Sequence, residues 1–100
     1  MESLFVYGNL KKLEIEKKVI KRSVDLSEDS LKRYKQSTIY IDGEIFTILI
    51  KSNDSKDFVF GFVLEVTEEE LKKIDKYETD IYQRKKVILS SGKEAWVYIK

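Results

Sequence analysis

A nearly continuous apolar segment, Phe58–Val66, runs without a linker into the charged sequence Thr67-Glu68-Glu69-Glu70. An apolar run of this length is typical of a strand that is covered on both faces and lies inside a sheet. The threonine hydroxyl can accept a hydrogen bond from the amide three residues on, and the last glutamate can reach back to the threonine amide, which makes a capping box. The sequence therefore predicts a central strand followed at once by a helix over residues 67–77, with Leu71 and Ile74 facing inward.

The first third of the chain combines one strand pattern with two helical patterns. Residues 4–7 are aromatic or β-branched, and Gly8-Asn9 ends them in a turn. Apolar residues within 10–22 recur at helical intervals, which predicts a helix there. In residues 26–34 a serine is followed by two acidic residues, which predicts a short, capped second helix.

Strand patterns dominate the rest of the chain. Asp42-Gly43 is a two-residue hairpin turn between residues 38–41 and 44–51, and residues 82–89 and 94–100 are predicted as two further strands. Helices mixed with hairpin-linked strands, without a regular β-α-β repeat, predict an α+β fold with a small mixed, barrel-like β-sheet and flanking helices. At 100 residues, the chain is predicted to form a single domain over residues 1–100.

Composition excludes several kinds of chemistry. The chain contains no cysteine and no histidine. Thiol catalysis, thiolate metal sites, histidine-bound zinc and a Ser-His-Asp triad are therefore impossible. Acid–base chemistry falls to Glu, Asp, Lys or Tyr, and we expect no metal site.

Charge and hydropathy bear on partners and location. The amino terminus does not resemble a signal peptide and no segment is apolar enough to span a membrane, so we expect a cytoplasmic protein that does not contact membranes. The net charge of +1 argues against a dedicated nucleic-acid binder. A local basic excess in residues 11–22 could face RNA, but the solvated side of a helix is the favoured interpretation. We therefore expect no specific nucleic-acid partner.

Four segments, in chain order, resemble the γ-glutamylcyclotransferase-like family. FVYGNLK at 5–11 is similar to the family's opening F-V-Y-G-[ST]-L-[RK], and GFVLEV at 61–66 is similar to its G-x-[LV]-[YF]-x-[LV] strand. IDKYE at 74–78 with YQR at 82–84 resembles L-D-x-[YF]-E-G…Y-x-R, and AWVY at 95–98 resembles the closing A-[WY]-x-Y. Four collinear pieces covering almost the whole chain argue against chance similarity.

The resemblance implies a fold, a reaction and a site. The fold is a small mixed barrel with flanking helices. In the reaction, the α-amine of a γ-glutamyl group attacks its own γ-carbonyl and releases 5-oxoproline together with the partner amine or amino acid, without a cofactor. The family's catalytic glutamate falls on Glu78. Its backbone loop for the oxyanion and carboxylate falls on Tyr7, Gly8, Asn9 and Leu10. The resemblance therefore predicts that the strand ending at Tyr7 is central in the sheet and that Gly8 lies near Glu78 across a cleft.

The residues themselves give Glu78 two interpretations. It falls at the carboxyl end of the predicted helix, where the helix dipole disfavours a negative charge, and a broken local rule in a well-formed helix is where function is expected. The other interpretation is a solvated glutamate paired with a lysine of the same helix. From the residues alone the second is favoured, and the resemblance reverses that order.

Other side chains near the predicted site also have two interpretations. Tyr82 and Arg84 lie two apart on a predicted strand and could together hold a substrate carboxylate. Alternatively, Tyr82 belongs to the core and Arg84 pairs with Asp75 or Asp80. For Arg84 the structural interpretation is favoured, for Tyr82 the two are even, and Asp75 is expected to be structural.

The remaining aromatic residues are expected in the core rather than on a base-stacking surface. They are Phe58, Phe60, Phe62, Trp96 and Tyr98.

Two functions follow from these patterns. The leading one is a γ-glutamyl cyclotransferase that uses Glu78 as general acid and base. The alternative is a non-catalytic protein that keeps the fold and binds a small molecule in the same pocket. Asn9, where Ser or Thr is usual, and Thr79, where Gly commonly follows the glutamate, are the departures from the family pattern at this site.

Overall fold

The computed structural model describes residues 1–7, 14–78 and 82–99. Within these ranges, no helix is long and apolar enough to cross a bilayer. The helical segments are a π-helix at Ile15–Ile20 and the α-helix α1 at Glu68–Glu78. The strands are β1 Glu2–Val6, β2 Leu26–Lys32, β3 Tyr34–Ile41, β4 Glu44–Lys51, β5 Phe58–Val66, β6 Gln83–Ile88 and β7 Glu94–Ile99.

Five strands form one mixed sheet in the order β2-β5-β1-β7-β6. β1 lies at its centre, antiparallel to β5 and parallel to β7, so the prediction that the strand before Gly8 is central is confirmed. The two edges of the sheet meet at one end, where the Ser90 amide donates a 2.8 Å hydrogen bond to the Ser30 carbonyl of β2. The sheet is therefore curled, as the barrel-like prediction requires.

β5 contributes to both hydrophobic clusters of the protein, one on each face of the sheet. On the outer face Leu64 and Val66 pack with Leu71 and Ile74 of α1. On the inner face Val63 packs among side chains of β1, β2, β7 and the β3–β4 hairpin. The strand is thus inside the sheet and covered on both faces along its second half, which confirms the prediction for that half.

The hairpin of β3 and β4 forms a separate two-stranded sheet. Its register places Ile41 opposite Glu44, and Asp42 and Gly43 both have positive φ angles, 50° and 83°, as a type I′ turn requires. At the open end of the hairpin, Tyr34 and Leu49 join the inner cluster. The predicted turn is confirmed, and the hairpin is anchored to the sheet at its base.

The capping box at the start of α1 is confirmed. The Thr67 amide donates to Glu70 Oε1 across 2.8 Å, and the Glu70 amide donates to Thr67 Oγ1 across 3.1 Å. Glu70 also receives two hydrogen bonds from the Arg22 guanidinium, at 2.6 and 2.7 Å. Arg22, one of the residues of the basic segment, therefore links the π-helix segment to α1.

The predicted helix over residues 26–34 is wrong, because these residues form β2 and turn into β3. β2 pairs along its whole length with β5, from Leu26 opposite Leu64 to Lys32 opposite Phe58. The serine and acidic residues that imitate a helix start make other local hydrogen bonds, since Asp29 Oδ1 accepts from the Ser30 amide. Long-range pairing with the edge of β5 overrides a weak local pattern.

The predicted helix over residues 10–22 is confirmed only in part. Its described portion is the π-helix, which ends at Lys21 with a left-handed φ of 55°. Residues 10–13 lie outside the described ranges.

The expectation that all five aromatic side chains are buried is wrong for two of them. Phe58 is 61% exposed and Phe60 is 52% exposed, whereas Tyr98 is buried and Phe62 and Trp96 are half-buried. Phe58 and Phe60 belong to the face of β5 that α1 covers, but they lie at the end of the strand far from α1.

Candidate active site

Glu78 is the last residue of α1, and its side chain is buried. Only 4% of the residue is exposed, and its Oε1 is enclosed by protein. Leu71, Ile74 and Glu78 are spaced by three and four residues, so they share the inward face of the helix. The interpretation of Glu78 as a solvated residue is therefore wrong, since the carboxylate continues the apolar stripe into the protein.

Besides its chain neighbour Tyr77, three tyrosines lie within the electrostatic reach of Glu78. Burial raises the pKa of Tyr7, and electrostatic interaction with Tyr82 and Glu78 raises it further. Burial and then Glu78 raise the pKa of Tyr82. For Tyr98, burial is again the largest cause of a raised pKa, followed by its hydrogen bond to Asp75, with Glu78 adding a smaller part. All three hydroxyls therefore stay protonated at neutral pH.

The protons of these hydroxyls are directed at identified acceptors. Tyr7 donates to the backbone carbonyl of Tyr98 across 3.0 Å, and Tyr82 donates to the carbonyl of Thr47 across 2.7 Å. Tyr98 donates to Asp75 Oδ1 across 2.5 Å. A tyrosine hydroxyl has one proton, so any further partner of these oxygens has to donate one. Such a surrounding suits an ammonium group better than a carboxylate.

Asp75 lies one helical turn before Glu78 and joins α1 to two strands. Besides accepting from the Tyr98 hydroxyl of β7, its Oδ1 forms an ion pair with Arg84 Nε of β6 at 3.1 Å. The Arg84 guanidinium lies 4.3 Å from the centre of the Trp96 ring. The structural interpretations of Arg84 and Asp75 are confirmed, because Arg84 pairs with Asp75 and is stacked on an aromatic ring.

Tyr77, next to Glu78, faces a different neighbour. Its hydroxyl donates to Glu14 Oε2 across 2.8 Å, and this hydrogen bond is the largest cause of its raised pKa. The carboxyl end of α1 is thus tied to the start of the π-helix on one side and to β6 and β7 on the other.

The structure brings three of the six predicted site residues together. Glu78 lies within electrostatic reach of Tyr7 and Tyr82, and it raises the pKa of both. Gly8, Asn9 and Leu10 lie outside the described residues, as does Thr79, so the proximity of Gly8 to Glu78 stays a prediction. In the described part of the chain, no group of three acidic side chains is placed to hold a metal ion.

Sequence reasoning missed one member of this neighbourhood, Tyr98, which it placed in the core. The one sequence signal that could have pointed to it is the closing A-W-V-Y segment, which resembles a family motif that ends on this tyrosine.

Solved structures with low sequence identity share this fold. The solution structure of At3g28950.1 from Arabidopsis thaliana matches with a TM-score of 0.77 at 23% identity, over 98% of this chain and 61% of that one. The crystal structure of the uncharacterized protein PH0828 from Pyrococcus horikoshii matches with a TM-score of 0.64 at 21% identity, over 99% of this chain and 77% of that one. This chain therefore spans less than two thirds of the Arabidopsis protein.

Sequence comparison identifies the family. No curated protein matches the chain. A family profile described as "Gamma-glutamyl cyclotransferase, AIG2-like" matches residues 4–100, which include all four segments singled out above. The chain belongs to the AIG2-like gamma-glutamyl cyclotransferase family.

Proposed function

We propose that the protein is a cyclotransferase that converts a γ-glutamyl amine or γ-glutamyl amino acid into 5-oxoproline and the free amine. Family membership supports a cyclotransferase-type activity. The observation that carries the assignment to a residue is the burial of Glu78 at the inward end of α1, among Tyr7, Tyr82 and Tyr98. Burying a carboxylate costs folding free energy, and buried titratable groups of this kind are concentrated at functional sites.

The proposed reaction is an intramolecular aminolysis. The α-nitrogen of the γ-glutamyl group forms a bond to the γ-carbonyl carbon, which closes a five-membered lactam, and the bond from that carbon to the amine nitrogen breaks. The attacking ammonium has three hydrogens and the lactam nitrogen keeps one, so the attacking nitrogen loses two protons; the leaving nitrogen gains two and departs as the ammonium form of the amine. Glu78 takes protons from the attacking nitrogen and passes them to the leaving nitrogen, so atoms and charges balance without a redox partner.

The hydrogen bonds of the three tyrosines favour proton transfer from the substrate α-ammonium to Glu78. The hydroxyl protons of Tyr7 and Tyr82 are directed at the backbone carbonyls of Tyr98 and Thr47. The hydroxyl proton of Tyr98 is directed at Asp75 Oδ1. The proposal therefore has the α-ammonium enter this acceptor-rich surrounding and give its proton to Glu78. The earlier suggestion that Tyr82 holds the substrate carboxylate fits less well, since its proton is already directed at Thr47.

The substrate carboxylate and the oxyanion that develops on the γ-carbonyl need hydrogen-bond donors other than these three tyrosines. The resemblance assigns them to the backbone amides of Tyr7, Gly8, Asn9 and Leu10, and we retain that assignment as part of the proposal. Backbone amides at a turn can stabilise such negative charge without a metal ion.

A substrate panel tests the proposal. The wild-type protein is incubated with γ-glutamyl amines and γ-glutamyl amino acids, and 5-oxoproline and free amine are quantified together. The proposal expects equimolar release of both products from at least one substrate class. Calorimetric binding of a γ-glutamyl ligand without release of either product would instead establish a binding protein with the same fold.

A further inference from the structure

Asp75 occupies the point where α1 meets β6 and β7. A single oxygen, Oδ1, accepts a hydrogen bond from the Tyr98 hydroxyl at 2.5 Å and forms an ion pair with Arg84 Nε at 3.1 Å. Its two partners are themselves held, since Tyr98 is 5% exposed and its carbonyl accepts from Tyr7, and Arg84 stacks on Trp96. Asp75 is thus bound on the side of the helix that faces the sheet.

Glu78 lies in the last turn of α1, Glu68–Glu78, so its placement depends on what holds that turn. Terminal turns of helices fray unless side chains or packing hold them. Asp75 precedes Glu78 by three residues and therefore lies on the same side of the helix, one turn back.

We propose that Asp75 is a positioning residue for Glu78. It holds the last turn of α1 in place through its contacts with the Tyr98 hydroxyl and the Arg84 guanidinium. This inference rests on the proposed function of Glu78 for its kinetic consequence, but the placement of the Glu78 carboxylate can be measured without turnover. Asp75 itself does not contact substrate in this account. It fixes where the proton acceptor stands.

The experiment compares three variants with the wild-type protein. Asp75→Ala removes both the hydrogen bond from Tyr98 and the ion pair with Arg84, whereas Asp75→Asn keeps an oxygen that can accept from Tyr98 but loses the charge that pairs with Arg84. Lys86→Gln is the matched control, because Lys86 lies on the same strand as Arg84 and also over the Trp96 ring, at 4.4 Å. Each protein is assayed for kcat and KM well below its melting temperature.

Asp75→Ala is expected to lower kcat roughly 10²-fold with KM nearly unchanged, the scale of a misplacement of about 1 Å. Asp75→Asn is expected to fall between Asp75→Ala and the wild type, and Lys86→Gln to match the wild type. In ¹³C NMR, the Glu78 carboxyl resonance, assigned by its loss in Glu78→Gln, should move in Asp75→Ala and stay in place in Lys86→Gln.

A wild-type kcat in Asp75→Ala would overturn the proposal even if the melting temperature falls, because loss of stability without loss of kcat would show that Asp75 only stabilises the fold. An unmoved Glu78 resonance in Asp75→Ala would overturn it as well. If the wild-type protein releases no 5-oxoproline at all, the proposed function fails by itself, and the NMR comparison alone decides the role of Asp75.

Discussion

The Tyr82 hydroxyl donates a 2.7 Å hydrogen bond to the backbone carbonyl of Thr47, in the middle of β4. Tyr82 directly precedes β6 and lies within the electrostatic reach of Glu78. The hydrogen bond therefore joins the candidate site to the separate β3–β4 sheet. The hairpin is therefore fastened at two places, at its base through the inner cluster and halfway along through Tyr82.

Replacing Tyr82 with phenylalanine should loosen the hairpin. Loss of one hydrogen bond costs about 0.5–1.5 kcal/mol, and the lower end applies because water can reach Thr47. Hydrogen exchange should accelerate in residues 34–51 more than in β1 or β5. Tyr40→Phe is the control, because Tyr40 is 74% exposed on the same hairpin. Unchanged hairpin exchange in Tyr82→Phe would show that the contact does not hold β4.

Gly61 lies where β5 passes β1 at close range. A Cβ at this position would overlap the Val6 carbonyl oxygen and stand 2.7 Å from Cζ of Phe5. Gly61→Ala should therefore destabilise the fold by about 1–3 kcal/mol or more, as overpacking does. Gly43→Asn is the control, since nothing lies within 4 Å of a Cβ there and Asn tolerates a positive φ. Equal denaturant midpoints for the two variants would contradict this account.

The Arg22–Glu70 contact should make stability depend on pH at the acid end. The Arg22 hydrogen bonds lower the pKa of Glu70 from 4.5 to about 2, with a smaller part from the Thr67 amide. A pKa that is lower in the folded protein contributes stability above about pH 4.5, and this contribution is lost as the pH falls toward 2.

Arg22→Gln should therefore lower the melting temperature by a few degrees at neutral pH, and by progressively less as the pH falls. Lys18→Gln makes the same charge change at an exposed position of the π-helix. Thermal unfolding of both variants between pH 7 and about pH 2 checks this prediction, and parallel curves for the two would contradict it.

Local sequence signals predicted the parts of the fold that local contacts decide. The capping box of Thr67 and Glu70 and the turn at Asp42-Gly43 were predictable because their hydrogen bonds and φ angles involve only neighbouring residues. Residues 26–34 were not, since their state is decided by β5, about thirty residues further along the chain.

The candidate site shows the same division. The pairing of Asp75 with Arg84 was among the expectations. The residues alone favoured a solvated Glu78, although its spacing to Leu71 and Ile74 places it on the inward face of the helix. The place of Tyr98 beside them was not predicted, because it depends on the strand order β1-β7-β6, which no local pattern encodes. When side chains are brought together by the order of strands in a sheet, their proximity can be established only from the structure.

The role of Glu78 is tested most directly by replacing it with glutamine, which keeps its shape but cannot accept the ammonium proton. Glu78→Gln should fold, still bind a γ-glutamyl ligand, and lose roughly 10²–10⁴-fold in 5-oxoproline release. Glu69→Gln is the matched control, because it makes the same charge change at an exposed position of the same helix. The account predicts wild-type turnover for Glu69→Gln and nearly none for Glu78→Gln. Equal turnover by Glu78→Gln and the wild type, with similar melting temperatures, would contradict it.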